Sequence, residues 1–241
     1  MVNIEVCIDN IESLFSAQKG GADRIELCSS LAVGGLTPNH GLIALALKHA
    51  HIPIYTMIRP RDGDFLYSSL EVEMMLHDIH HAKTQGVQGV VLGCLNKNAQ
   101  VDRDILRSLM KEAKGVGVTF HRGIDCCADV HEALEIILGA GCERVLTSGL
   151  ANNAVNGAET IRKMVLQCKG RLSVMAGAGV NGDNVATIIN KTGVNEVHLS
   201  GKTPRQSDME TIVACATLPE FQTISVTKAE NIAAIKSAIA R

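Results

Sequence analysis

The chain has 241 residues, 46% of them apolar, which suffices for one large domain or two small ones. A formal net charge of −2 with no basic run argues against a sequence-independent nucleic-acid surface, and no apolar run is long enough to span a membrane. Aromatic residues are only 2%, with no tryptophan, which weakens any site built on stacked bases or sugars.

The N-terminus lacks the basic-then-apolar pattern of a signal peptide, so a soluble, intracellular protein is expected. Its first strand-like run is Ile4–Ile8, and the amphipathic stretch Ile11–Lys19 follows. The same alternation then repeats: Arg24–Cys28 before Asn39–Ala50, Ile52–Ile58 before Leu70–Gln85, and Val90–Cys94 before Arg103–Lys114. It continues with Val116–His121 before Asp129–Leu138, Arg144–Ser148 before Glu159–Gln167, and Leu172–Ala176 before Asp183–Lys191. Glu196–Ser200 is the last strand-like run, and Lys228–Ala240 closes the chain. Asp9 with Glu12 and Ser68 with Glu71 have capping-box spacing, and Gly20, Gly86, Gly139 and Gly193 stand where helices should stop.

Strict alternation of strand and helix implies a parallel sheet, and eight pairs without a linker imply a single-domain (β/α)8 TIM-type barrel over residues 1–241. An open doubly wound sheet should carry a glycine-rich turn after its first strand, where this chain has Asp9-Asn10-Ile11-Glu12. Four segments share one form: Gly21–Leu27, Gly86–Leu92, Gly141–Thr147 and Gly193–Leu199. They are the even strands, whose Ile/Val and Leu/Thr positions should face the helices. That phase turns Glu26, Val91, Leu146 and His198 toward the axis, with Cys28, Gly93, Ser148 and Ser200 above them. In the odd strands Glu5, Cys7, Asp9, Thr119 and His121 point inward, and Met57 and Gly177 join the layer of Cys7 and His121.

Barrel interiors are usually filled with branched aliphatics, so so many polar groups near the strand C-terminal ends point to a ligand site. The plainer alternative is a satisfied internal network, with Glu5 and Glu26 neutralised by Arg59 and the histidines. In the loop Arg59–Tyr67, Arg59 and Arg61 could clamp a small anion, with Asp64 part of the same site, or be tied down by Asp62 and Asp64. Gly177, Gly179 and Ser200, in the loops after the last two strands, could offer backbone N–H groups to a phosphate. Arg122 and Asp125 should form an orienting pair at the rim, while Cys126 and Cys127 lie beyond the strand. Ser200-Gly-Lys-Thr203 is no P-loop, because Glu196 stands where that motif's first glycine belongs. The eight cysteines are scattered and read as free thiols. Cys7, Cys28, Met57 and His121 would together suit Cu(I), which favours thiolate, thioether and imidazole, although core cysteines are often inert. His77 and His81 have the i, i+4 spacing of a weak surface metal site.

Several motifs resemble the CutC family of copper homeostasis proteins: Ile4–Cys7, Gly21–Cys28, Gly34–Pro38, Met57–Arg61 with Gly63–Phe65 and Tyr67, Thr119–Arg122 with Asp125, Leu146–Gly149, Met175–Gly179, and His198 with Ser200. The resemblance implies a TIM-type barrel, a cytoplasmic location, a homodimer or higher homo-oligomer, and copper handling with Cys7 and Cys28 as ligands. The apolar run Val213–Leu218 fits a dimer contact. Two functions stand side by side. One is a copper-binding protein using Cys7 and Cys28, with His121 as a further ligand. The other is a barrel enzyme of unassigned activity on a small anionic or phosphorylated substrate, in which Glu26, His121 or His198 transfers protons.

Overall fold

The computed structural model describes residues 2–209 and 223–240. Eight parallel strands close on themselves in chain order: β1 Asn3–Ile8, β2 Arg24–Leu27, β3 Ile54–Met57, β4 Gly89–Leu92, β5 Gly117–Phe120, β6 Arg144–Thr147, β7 Ser173–Ala176 and β8 Glu196–Leu199. The ring is closed by β8 against β1, with Glu5 opposite His198. Helices follow as α1 Ile11–Gly20, α2 His40–His49, α3 Ser69–Gln85, α4 Arg103–Glu112, α5 Val130–Ala140, α6 Ala158–Cys168, α7 Val185–Thr192 and α8 Ala229–Ile239. Between β8 and α8 stands a two-stranded antiparallel ribbon, β9 Lys202–Gln206 with β10 Thr223–Thr227. The run Val213–Leu218 lies outside the described residues.

The helix-facing parity is apolar, as expected. Ile4, Val6, Ile8, Ile25, Leu27, Val90, Leu92, Val118 and Phe120 belong to the shell between barrel and helices. A second, smaller apolar cluster of Cys28, Tyr55, Met57 and Val91 lies apart from that shell. Burying the shell supplies the main driving force, on the order of 25 cal/mol for each Å² of apolar surface removed from water.

Three details of helix punctuation differ from expectation, the first being that α1 runs through Gly20 and stops at Gly21. The N-cap of α1 is Asn10, whose side chain accepts from the Ser13 N–H, while Asp9 accepts from the Leu31 N–H across the barrel mouth. Helix α5 runs through Gly139 and stops at Gly141, in the left-handed conformation that glycine adopts without steric cost. The α3 capping box of Ser68 and Glu71 is formed in both directions.

The N-terminal part of the interior is ionic. Arg24 Nε donates to Glu5 Oε2 at 2.5 Å, and its terminal nitrogen donates to Glu196. Arg144 reaches Glu196 at 3.1 Å and Glu143 at 2.5 Å. Both guanidinium groups lie over the Tyr55 ring, at 5.2 and 5.0 Å from its centre. Gly89 makes room for that ring: a Cβ there would come within 2.1 Å of it. Glu5 is thus paired with His198, one of the histidines the sequence pointed to, and with Arg24 in place of Arg59. Buried charges of this kind must be paired, because a lone ion out of water costs several kcal/mol.

Candidate functional site

At the C-terminal mouth of the barrel a cavity of about 480 Å³ opens above this ionic floor. Cys7 of β1, Glu26 of β2, Met57 of β3 and His198 of β8 line it, and His121 joins them from the residue after β5. Cys7, Glu26 and His198 alternate with shell residues on both sides, Met57 precedes Ile58 and His121 follows Phe120 of the same shell, so strand parity delivers all five to one space.

On one side Cys7, Glu26 and His198 form a compact donor group. One ligand atom from each lies within 4.8 Å of the others, and all three residues are buried. His198 Nδ1 contacts Glu5 Oε1 at 2.8 Å, and its Nε2 is 3.7 Å from Glu26 Oε2. Burial would raise the Glu5 carboxyl, but the bond from His198 and the Arg24 charge outweigh it and hold the group at about 2. Burial likewise opposes a charged imidazole at His198, yet the surrounding Cys7, Glu26 and Glu5 keep it well above the usual histidine range. Glu26 is raised by its burial and by Glu5, with His198 opposing. Its Oε1 is buried and has no hydrogen-bond partner. Cys28 donates to Glu26 Oε2 at 3.5 Å and is fully buried, which together with the Glu26 charge pushes its thiol far up. The structure therefore brings Cys7 together with Glu26 and His198, and leaves Cys28 behind Glu26, outside the cavity lining.

These residues fit a metal ion. A thiol and an imidazole suit soft and borderline ions, a carboxylate oxygen without a partner is available, and Glu5 fixes the imidazole by accepting from Nδ1–H.

His121 occupies a different environment. Its Nδ1 accepts from the Gly123 N–H at 3.0 Å, and its Nε2 is buried without a partner. The ring packs on Phe65 at 4.7 Å between centres and lies against Gly93, where a Cβ would come within 2.5 Å of it. Burial, helped by the Arg59 charge, holds His121 at about 3, so the ring is neutral. The sequence expectation of a near-neutral histidine beside a carboxylate therefore fails for His121, and His198 is the histidine among carboxylates.

The paired arginines diverge. Arg59 turns inward, buried, and donates to the carbonyls of Val33, Gly35 and Gly63. Arg61 turns outward to Asp64 at 2.9 Å and Glu71 at 2.6 Å and stacks on Tyr67, so neither Arg61 nor Asp64 lines the cavity. Arg122 pairs with Asp125 at 2.9 Å and donates to Ser148 Oγ at 2.9 Å. Asp125 in turn accepts from Thr147 Oγ1 and the Ser148 and Leu150 N–H groups, which ties the turn after β5 to the end of β6. Gly179 and Ser200 line the cavity with Lys202, whereas the Gly177 N–H is committed to the Thr147 carbonyl. On the surface, His81 pairs with His40 and Gln85, and among the described residues His77 joins no group of three or more histidine, cysteine or carboxylate ligands.

Arg24, Arg144, Glu196 and Tyr55 were not singled out from the sequence. Each stands two residues before an inward position already recognised: Glu26, Leu146, His198 and Met57. Extending the same parity one step would have named them.

A family model described as the CutC family matches residues 2–203. A CutC protein of Photobacterium profundum is 56% identical over 243 residues, covering 99% of this chain and 99% of that one. Another, from Vibrio cholerae serotype O1, is 55% identical over 208 residues, covering 86% of this chain and 82% of its own length. Among solved structures, a CutC of Streptococcus agalactiae, with a suggested role in copper homeostasis, matches with a TM-score of 0.80 at 32% identity. That match covers 83% of this chain and 99% of the other.

Proposed function

The chain belongs to the CutC family, and on that premise we propose that it handles copper, received at the barrel mouth by Cys7, Glu26 and His198. The observation that carries this reading is the convergence of three buried donor atoms within 4.8 Å of one another. A role in copper homeostasis has been suggested for the Streptococcus agalactiae relative. Cys7 and His198 supply the soft and borderline ligands that Cu(I) favours, and Met57 adds a thioether to the cavity wall. His121 is left out of the set, because the Gly123 N–H fills its Nδ1 lone pair and puts the proton of the neutral ring on Nε2. Cys28 is a reserve thiol, protonated and screened from the cavity by its own burial.

Copper would have to displace protons from the Cys7 thiol and from His198 Nε2, while Nδ1–H remains on Glu5. All seven described cysteines are free thiols, which supports a reducing, cytoplasmic setting.

The test is an anaerobic Cu(I) titration against a competing chelator, comparing the parent with Cys7→Ser, Cys28→Ser and His198→Gln. Cys7→Ser and His198→Gln should each weaken binding by at least the roughly 10-fold typical of lost ligand support, and Cys28→Ser should do less. Parent-like affinity in a Cys7→Ser/His198→Gln double variant would sink the assignment.

A further inference from the structure

The copper reading leaves the opposite wall of the cavity without a task, and that wall has an unusual electrostatic state. Arg59 is buried, and among the described residues it has no carboxylate partner. Three backbone carbonyls accept from three of its four terminal N–H groups. Carbonyl dipoles satisfy hydrogen bonds without neutralising a charge, and a buried cation lacking a counter-ion is costly. Its Nε is also buried with no acceptor in hydrogen-bonding geometry, and the neighbouring Tyr67 hydroxyl is likewise buried and unpartnered. His121 repeats the pattern: with Nδ1 occupied by the Gly123 N–H, its ring proton sits on Nε2, which is buried and unpartnered. Both residues flank one aromatic ring, the Arg59 guanidinium 5.2 Å from the Phe65 centre and the His121 ring 4.7 Å from it. Two buried N–H donors without acceptors therefore stand beside Phe65, close enough for the Arg59 charge to act on the His121 ring, and both residues line the same cavity. Lys202 adds a second positive charge at the rim.

We infer that this wall is an oxyanion site, in which a carboxylate or phosphate group of a small ligand accepts hydrogen bonds from Arg59 Nε–H and His121 Nε2–H and supplies the missing counter-charge of Arg59. The inference does not rest on copper binding, since it uses none of Cys7, Glu26 and His198. A neutral histidine serves this purpose better than an imidazolium would, because its donor stays in place without adding a second buried charge. The neighbouring Arg59 charge is one reason the ring remains neutral, alongside burial. Gly93 and Gly123 hold the ring edge in position, a Cβ on either coming within 2.5 and 3.0 Å of it. Exposed anion sites lose their grip as salt rises, whereas donors as buried as these should be screened less.

Inorganic phosphate and acetate are the probes, titrated separately into protein carrying 15N in its histidine and arginine side chains, at constant ionic strength. The histidine spectrum should place the His121 proton on Nε2, and at least one probe should shift His121 Nε2 and Arg59 Nε together in a saturable way. The probe that saturates identifies the ligand group as phosphate or carboxylate. His121→Phe should weaken that binding tenfold or more. Lys202→Ala, an exposed position that leaves the barrel intact, should weaken it severalfold, and Cys7→Ser should leave it within twofold. A proton on His121 Nδ1, absence of any saturable shift with both probes, or unchanged affinity in both His121→Phe and Lys202→Ala would overturn the inference. Loss of copper binding in Cys7→Ser with phosphate or acetate binding retained separates this site from the metal site.

Discussion

Glu5 sits between the two halves of the barrel interior. One oxygen takes the Arg24 charge of the ionic floor, and the other faces His198 Nδ1 at the donor group. It is fully buried and stays ionised because those two partners outweigh its desolvation, holding it at about 2. Glu5→Gln keeps the shape but removes the charge, leaving Arg24 with Glu196 alone and His198 with Glu26 alone. Removing one partner of a buried ion pair costs roughly 3–5 kcal/mol. The expected outcome is therefore a loss of about 3 kcal/mol in urea unfolding, with a lower His198 titration midpoint by NMR. Unchanged stability together with an unchanged His198 midpoint would show that the floor and the donor group are not coupled through Glu5. The same variant should weaken copper by about 10-fold or more, the usual effect of losing a partner that orients a ligating histidine.

At the scale of elements, the helices stop and start on local signals, and α3 offers the cleanest test. Its N-cap Ser68 accepts from the Glu71 N–H, and the Glu71 carboxylate accepts from the Ser68 N–H at 2.7 Å. Glu71 also holds Arg61 at 2.6 Å, so the box anchors the loop that carries Arg59 as well as the helix. Ser68→Ala should cost about 1 kcal/mol, the typical value for an N-cap hydroxyl, as read by thermal unfolding. If it costs nothing, the Glu71–Arg61 contact alone is holding the helix start. Such local features were legible in the sequence, as was the strand parity, because the helix-facing positions are apolar apart from the buried Thr56 and Thr147. What was not legible is long-range. Arg59 and Arg61 are two residues apart in one loop, yet the carbonyls of Val33, Gly35 and Gly63 draw one inward while Asp64 and Glu71 draw the other out. The pairing of Cys7 with Glu26 and His198, in place of Cys28 and His121, depends on the stagger between strands, which no single strand's pattern records. The tautomer of His121 is fixed by one N–H in the turn after β5.

For the whole molecule, the interior groups set how stability varies with pH, and their signs can be separated. His121 is held at about 3 in the folded protein against an ordinary value of 6.5. The unfolded chain therefore binds the extra proton throughout that interval, and stability falls as pH drops from 6.5 toward 3. Glu5, held at about 2 against 4.5, acts in the same direction but only below 4.5, and the lowered Glu196 joins it there. His198 is raised, so its contribution is complete below 6.5 and is lost only as pH climbs through its folded value. Between about pH 4.5 and 5.5 His121 therefore steepens the loss on acidification, while Glu26, whose raised carboxyl takes up its proton earlier in the folded state, opposes it. One proton of difference corresponds to about 1.4 kcal/mol per pH unit. Urea unfolding at intervals across that window should show the parent losing stability on acidification more steeply than His121→Phe, which has no proton to gain, by about 1 kcal/mol per pH unit. Equal slopes in the two proteins would mean that His121 takes up its proton in the folded barrel, and the neutral donor at the cavity wall would have to be abandoned with it.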